Sequence, residues 1–171
     1  FQGEEVPPGD ERLAYISGFT GSAGFALITG YAAALFSDGR YSLQMVSQTD
    51  PADWQCHTLP AYSLNDYFDQ HPLDGLTIGI DPQLVTMTGY ARYADSISKA
   101  SGQLTAVDTN PVDAIWYDRP AMPAPSAWRM DDLVVGQSVA EKLQALSDNL
   151  RQQNLRAALL SRGDAVNWLI N

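Results

Sequence analysis

The amino-acid sequence predicts an α/β fold with a mixed sheet flanked by helices. A first helix is followed by a hairpin of two strands, and after this hairpin strand-like and helix-like runs alternate as far as residue 109. An antiparallel pair followed by interleaved strands and helices is typical of a mixed sheet. Hydrophobic residues make up 45% and charged residues 18% of the 171 residues, so the chain can bury a core.

Each element has a local signal in the sequence. Asp10 is a candidate cap for the first helix, and Gly30-Tyr31 is a two-residue hairpin turn between the first two strands. The pattern predicts strands over 25–29, 32–37, 54–59, 76–81 and 103–109. It predicts helices over 10–17, 40–48, 63–70 and 87–101. Together these elements make residues 1–116 one α/β domain.

The chain changes character after this domain. Three prolines in YDRPAMPAP favour an extended linker over 117–133, because proline fixes φ and removes a backbone donor. Ser138 and Glu141 then form a capping box before a helix, and RAALLS over 156–161 is predicted to be a strand. A helix and a strand cannot bury their own apolar face, so residues 134–171 are predicted to open a second domain.

Composition and charge disfavour several classes of function. The formal net charge is −10 and the pI is near 4.3, whereas a nucleic-acid or anionic membrane partner requires concentrated positive charge. No apolar run approaches the ~20 residues that span a bilayer. The single cysteine, Cys56, cannot form an internal disulfide, so a reducing cytoplasm is the expected compartment.

Positions 18–24 read GFTGSAG, a glycine spacing that suggests a phosphate-binding loop. A P-loop requires a lysine and a helix start, and here the strand FALIT follows without a lysine. The dinucleotide fingerprint requires G-x-G-x-x-G, and the spacing here is G-x-x-G-x-x-G. Both nucleotide interpretations therefore fail, and a loop whose glycines permit positive φ and close packing is favoured.

The residues alone contain no complete catalytic or metal-binding set. His57 and His71 stand in different segments without a carboxylate or cysteine at ligand spacing, so structural roles are expected for both. The stretch Asp38-Gly39-Arg40-Tyr41 is more specific, because it places an arginine and an aromatic ring at the end of a strand. An ordinary turn, in which Asp38 accepts from backbone donors, explains the same residues.

The chain contains, in order, QGEEVPPGDERLAYISGFTGSAGFALIT, ALFSDGRYSLQ, NPVDAIWYDRPAMP and EKLQALSDNLRQQNLRAALLSRGDAVNWLIN. The first three stretches resemble the amino-terminal region of cytosolic-type Xaa-Pro aminopeptidases, in the creatinase/prolidase superfamily. The fourth resembles the start of that family's second domain. Two positions depart from the family pattern: Phe1 stands where many members have histidine, and Glu5 where they have tyrosine.

The resemblance implies two related α/β domains ahead of a catalytic domain that carries a pair of divalent metal ions, manganese or zinc. A hydroxide bridging those ions attacks the bond between a peptide's first residue and a proline at the second position. No metal ligand of the family matches a position of this chain. The segment is therefore expected to bind no cofactor and to be inactive alone, and the parent is expected to be a homodimer.

In creatinase, a relative, the equivalent of the glycine loop reaches the neighbouring subunit's active site. By this analogy, Phe19, Thr20 and Ser22 are candidate substrate-contacting or interface residues, together with Arg40 and Tyr41. A loop that only packs is the alternative. The expected function is the non-catalytic part of a metallopeptidase, supporting dimerisation and substrate access. A stand-alone interaction module and a small-ligand-binding domain are the other hypotheses.

Overall fold

A computed structural model describes residues 6–171, apart from the side chain of Asp132. Within these residues the chain forms two compact units, Val6–Met122 and Pro123–Asn171. The departures from the family pattern at Phe1 and Glu5 lie outside the described residues.

The first unit contains the five predicted strands. They are β1 (Phe25–Ile28), β2 (Ala33–Asp38), β3 (Trp54–Leu59), β4 (Thr77–Ile80) and β5 (Gln103–Ala106). Its helices are α1 (Arg12–Ser17), α2 (Ser42–Gln48), α3 (Leu64–Gln70), α4 (Met87–Lys99) and α5 (Pro111–Ile115). Short 3-10 turns occupy Pro8–Asp10, Gly39–Tyr41 and Pro82–Leu84.

The sheet that carries the core is mixed, as predicted. β1 pairs antiparallel with β2, with Phe25 opposite Phe36, and β2 pairs parallel with β3, with Leu35 opposite Cys56. The Thr29 backbone N–H donates to the Ala32 carbonyl at 2.9 Å, which closes the predicted turn between β1 and β2. β4 and β5 form a separate parallel pair, a division that the sequence does not predict.

β2 lies at the centre of this sheet and is buried on both faces. Because side chains alternate along a strand, Phe36 faces one side and Leu35 the other, and both are fully buried. Phe36 packs in a cluster with Tyr67 and Phe68 of α3. Leu35 packs against residues outside that cluster, among them Met45 of α2. Helices therefore cover both faces, which accounts for the almost continuous apolar run of this strand.

Three local predictions need correction. Asp10 does not cap α1, because its carboxylate accepts hydrogen bonds from Arg12 and Arg119 instead. Residues 156–161 form no strand, because the second unit offers them no neighbouring strand among the described residues. α5 was not predicted, although Asn110 caps it by accepting from the Val112 N–H at 3.0 Å.

The second unit consists of helices α6 (Asp132–Val135), α7 (Val139–Gln152) and α8 (Gly163–Ile170). The predicted capping box at the start of α7 is confirmed. The Ser138 hydroxyl accepts from the Glu141 backbone N–H at 3.3 Å, and the Glu141 carboxylate accepts from the Ser138 N–H at 2.8 Å.

Candidate functional site

The glycine loop at 18–24 follows a path that requires glycine at two positions. α1 ends at Gly18, whose φ of +77° is in the left-handed region, and Gly24 has a φ of +155°. A Cβ at Gly24 would lie 2.8 Å from the Phe36 carbonyl oxygen of β2. The Ser37 hydroxyl donates to the Ala23 carbonyl at 2.5 Å and ties the loop to the same strand. The loop is thus packed against its own sheet.

Phe19 is the buried residue of this loop. Its ring is 1% exposed and packs with Leu35 and Met45, and a Cβ at Gly21 would collide with it. The side chain of Phe19 therefore supports the loop from inside. Its neighbours Thr20 and Ser22 are exposed, and a substrate or interface contact by them stays a prediction.

Tyr41 joins the glycine loop to the stretch Asp38–Tyr41 at the end of β2. Its ring meets the Phe19 ring edge-on, with centroids 5.8 Å apart. Its hydroxyl hydrogen-bonds to the Ser22 hydroxyl at 2.7 Å. Two motifs that were predicted independently therefore meet at one place.

Arg40 extends this place with a positive charge. Its guanidinium donates to both oxygens of Asp38, at 3.0 and 2.7 Å, and lies 5.1 Å from the Tyr41 ring centroid. Hydrogen bonds from Arg40 lower the pKa of the Asp38 carboxyl. Asp38 also accepts from the Arg40 backbone N–H at 3.0 Å, as expected for an ordinary turn, and the binding interpretation stays a prediction. The Arg40 side chain is 68% exposed and accessible to a ligand.

Two residues that the sequence analysis missed complete the group. The Gln48 side-chain oxygen Oε1 accepts from the Thr20 backbone N–H at 3.0 Å, and the Gln44 side-chain amide donates to the Thr20 hydroxyl at 3.1 Å. Their spacing of four residues on α2 was the available signal, since it places both side chains on one helix face. We call the group Thr20, Ser22, Arg40, Tyr41, Gln44 and Gln48 the loop surface. Four of these residues are exposed and two, Tyr41 and Gln44, are half-buried.

The loop surface offers one guanidinium, hydroxyls and amides over an aromatic support. Such a set can hold a carboxylate or a peptide backbone by hydrogen bonds and charge. Among the described residues, no group of three or more His, Cys, Asp or Glu side chains gathers to hold a metal ion.

The two histidines lie in an aromatic cluster away from the loop surface residues. His57 stacks on Tyr62 with centroids 4.5 Å apart and on Phe36 at 5.0 Å. Its Nε2 is buried without a hydrogen-bond partner among the described atoms, and burial lowers its pKa. His71 ends α3 and lies 4.4 Å from Tyr67, between ring centroids. Both contacts are the packing contacts of structural residues.

A network of four charges joins the start and the end of the first unit. The Arg12 guanidinium donates to both oxygens of Asp113, at 2.7 and 3.0 Å. Arg119 lies 2.8 Å from Asp113 and 3.0 Å from Asp10. The bond from Arg12 lowers the pKa of Asp113. These residues come from PPGDER and NPVDAIWYDRP, so ion pairs join two stretches that lie about 100 residues apart in the chain.

Two known protein families match this chain. Residues 8–115 match a family described as Creatinase/Prolidase N-terminal domain, and residues 118–171 match a second family of the same description. The chain therefore belongs to the creatinase/prolidase N-terminal domain family. The predicted resemblance and fold class are confirmed.

Similar proteins carry one recurring description. A protein of Pyrenophora teres f. teres described as "Probable Xaa-Pro aminopeptidase P" is 35% identical over 99% of this chain. One of Coprinopsis cinerea with the same description is 37% identical over 95% of this chain. The chain spans only 26% of each of these relatives.

Solved structures give the same result. The X-prolyl aminopeptidase from Caenorhabditis elegans, described as a cytosolic enzyme with a di-nuclear active site, matches with a TM-score of 0.78. The two sequences are 28% identical, and the match covers 97% of this chain and 28% of that one. The N-terminal domain of the peptidase PepQ from Mycobacterium tuberculosis matches 61% of this chain at 25% identity and a TM-score of 0.50.

None of the helices in the described part of the chain has both the length and the apolar character that a membrane span requires.

Proposed function

We propose that this chain is the non-catalytic amino-terminal part of a metal-dependent Xaa-Pro aminopeptidase. The parent would be a cytoplasmic homodimer that removes the first residue from peptides with proline second. The similarity to aminopeptidase P relatives over 99% of the chain carries this proposal. The chain spans 26% of that relative, and we assign a pair of manganese or zinc ions and its ligands to the remainder of the parent. The di-nuclear active site described for the Caenorhabditis elegans enzyme supports this assignment.

The loop surface is the part of this chain that we assign to the substrate. In the parent it faces the catalytic pocket of the neighbouring subunit and helps to hold the peptide. Arg40 is its strongest binding group, because the Asp38 carboxylate fixes the guanidinium at 2.7 Å while leaving it 68% exposed. The net charge of −10 is consistent with a peptide partner and opposes a nucleic acid or an anionic membrane.

The substitution Arg40→Ala in the parent enzyme tests this assignment. A charge-assisted hydrogen bond is worth about 1.5–3 kcal/mol, so KM for an Xaa-Pro peptide is expected to rise roughly 10- to 100-fold. The matched control is Arg92→Ala, since Arg92 is an exposed arginine on α4. Steady-state kinetics with added manganese measures both. Equal KM values for the two variants would remove the loop surface from substrate binding.

The 171-residue chain provides the complementary test of inactivity. Purified without the remainder of the parent, it is expected to show no turnover of Xaa-Pro dipeptides with manganese or zinc. Turnover would contradict a non-catalytic role. A parent that lacks peptidase activity would instead support the stand-alone interaction module.

A further inference from the structure

Helix α2 holds the glycine loop through two consecutive loop residues. Phe19 is 1% exposed and Thr20, the next residue, is exposed, so their side chains point in opposite directions. On the buried side, the Phe19 ring packs with Met45 of α2. On the exposed side, Thr20 hydrogen-bonds to Gln44 and Gln48 of the same helix. The position of the loop relative to α2 is therefore fixed from both sides of its backbone.

The exposed contact is a closed set of hydrogen bonds among Thr20, Gln44 and Gln48, which we call the loop clamp. The Thr20 backbone N–H donates to Gln48 Oε1 at 3.0 Å, and Gln48 Nε2 donates in return to the Thr20 hydroxyl at 3.0 Å. Gln44 Nε2 donates to the Thr20 hydroxyl and to Gln48 Oε1, each at 3.1 Å. The backbone is close as well, since a Cβ at Gly18 would lie 2.9 Å from the Gln48 carbonyl oxygen. Each residue of the loop clamp is thus held by the other two.

The loop clamp contributes little to the stability of the fold. Thr20 and Gln48 are exposed and Gln44 is half-buried, so water can replace these neutral hydrogen bonds. Fixing two glutamine side chains also costs conformational entropy, which is similar in size to what the bonds return. What the loop clamp does is order the loop before a ligand arrives. Such preorganisation strengthens binding, because the ligand no longer has to order the loop.

We propose that Gln44 and Gln48 are positioning residues, which act through Thr20 to hold the glycine loop in the conformation that binds the peptide substrate. This inference rests on the proposed function, which assigns the loop surface to that substrate. It gives the two glutamines a role that differs from that of Arg40, which the proposed function places in contact with the peptide.

The far end of the loop is held independently of the loop clamp. The Ser22 hydroxyl hydrogen-bonds to the Tyr41 hydroxyl at 2.7 Å, and the Ser37 hydroxyl donates to the Ala23 carbonyl at 2.5 Å. Loss of the loop clamp is therefore expected to free the segment around Thr20 and to leave the rest of the loop in place. Variants of the loop clamp can be examined in a folded parent protein for this reason.

The substitution Gln48→Met in the parent enzyme tests the positioning role. Methionine keeps the length of glutamine but donates no hydrogen bond. KM for an Xaa-Pro peptide is expected to rise roughly 3- to 10-fold, the equivalent of one lost neutral hydrogen bond, with kcat unchanged. The matched control is Gln70→Met, since Gln70 is an exposed glutamine that ends α3 as Gln48 ends α2.

The split between KM and kcat separates positioning from damage to the fold. A variant that is only damaged has a smaller active fraction, which lowers kcat and leaves KM at the value of the unmodified enzyme. That pattern in Gln48→Met, or a KM equal to that of Gln70→Met, would overturn the proposal.

A double-mutant cycle with Thr20→Val separates action through Thr20 from direct contact with the substrate. Valine keeps the shape of threonine but lacks the hydroxyl that accepts from both glutamines. If Gln48 acts through Thr20, KM of the double variant rises by less than the product of the two single increases. A rise equal to that product would show independent contacts and would refute the positioning role.

Hydrogen–deuterium exchange on the parent protein measures the loop clamp without turnover. In Gln48→Met the Thr20 amide is expected to exchange roughly tenfold faster than in Gln70→Met, because this N–H loses its acceptor. Equal exchange in the two variants would overturn the loop clamp. A parent without Xaa-Pro activity in which exchange still rises would overturn the proposed function and leave the loop clamp in force. A higher KM in Arg40→Ala but not in Gln48→Met would do the reverse.

Discussion

The substitution Asp113→Asn tests the charge network that joins α1 to α5. Asp113 accepts two hydrogen bonds from Arg12 at 2.7 and 3.0 Å and one ion pair from Arg119 at 2.8 Å. The side chains of Arg12 and Asp113 are 14% and 24% exposed. Breaking a fully buried pair costs about 3–5 kcal/mol and an exposed pair less than about 1 kcal/mol. We therefore expect a loss of about 2 kcal/mol.

Urea unfolding followed by circular dichroism measures this loss. For an m value of about 2 kcal/mol/M, the midpoint is expected to fall by about 1 M. Asp95→Asn is the control, because Asp95 pairs with Lys99 where both side chains are more than 60% exposed (62% and 67%) and contributes about 0.3–0.5 kcal/mol. Equal losses for Asp113→Asn and Asp95→Asn would refute the reasoning.

The same network makes a pH-dependent contribution of known sign. The pKa of Asp113 is lowered, mainly by its hydrogen bond to Arg12, so the unfolded state binds the proton more readily. The contribution is complete above the unfolded pKa of about 3.9 and is lost as pH falls toward the folded pKa. In Asp113→Asn, the loss of unfolding free energy that Asp113 causes at acid pH should be absent from urea unfolding curves.

Two further predictions concern buried groups. Burial lowers the pKa of His57, so stability is expected to fall as pH drops below about 6.5, and His57→Phe should reduce the difference in thermal midpoint between about pH 7.5 and about pH 5.5. Lys142→Met removes two hydrogen bonds at α8 and is expected to cost the second unit about 1–3 kcal/mol, measured by urea unfolding. Lys99→Met, at a 67% exposed side chain, is its control.

Either of these predictions can fail on a single observation. An unchanged pH response in His57→Phe would show that His57 is not its cause. Equal stability of Lys142→Met and Lys99→Met would show that the buried ammonium adds nothing to the contact between α7 and α8.

Most of the first unit follows from local sequence signals. Its strands alternate or end at turn residues, and each carries its own pattern over a few positions, so the mixed sheet was predictable. The errors have non-local causes. Asp10 is of a residue type that commonly caps helices, but its carboxylate pairs instead with Arg119, which lies 109 residues away in the chain. A strand at 156–161 depends on neighbours that its local pattern does not contain.

Four of the six residues of the loop surface were named from the sequence, but Gln44, Gln48 and the arrangement of the group were not. Gly18 and Gly24 mark a loop by their tolerance of positive φ, and the Asp38-Gly39 break marks a strand end. The direction of the Phe19 ring depends on the packing of β2 and α2, which a short window does not encode. The sequence named Phe19 as a candidate substrate or interface contact, with a packing loop as the alternative, and did not show that its ring would be only 1% exposed.

The two ends of the first unit, near Gly9 and Pro120, lie next to each other. The Arg119 side chain donates to the Gly9 carbonyl at 2.6 Å, and a Cβ at Gly9 would collide with the Pro120 carbonyl oxygen, so the backbones at positions 9 and 120 lie side by side. A domain with adjacent ends can be inserted into another protein or circularly permuted without stretching its fold. Because the charge network holds the two ends together, this unit is suited to circular permutation. A short linker would join its ends, new termini would lie at the exposed Gly30-Tyr31 turn, and the β2–β3 pairing would be preserved.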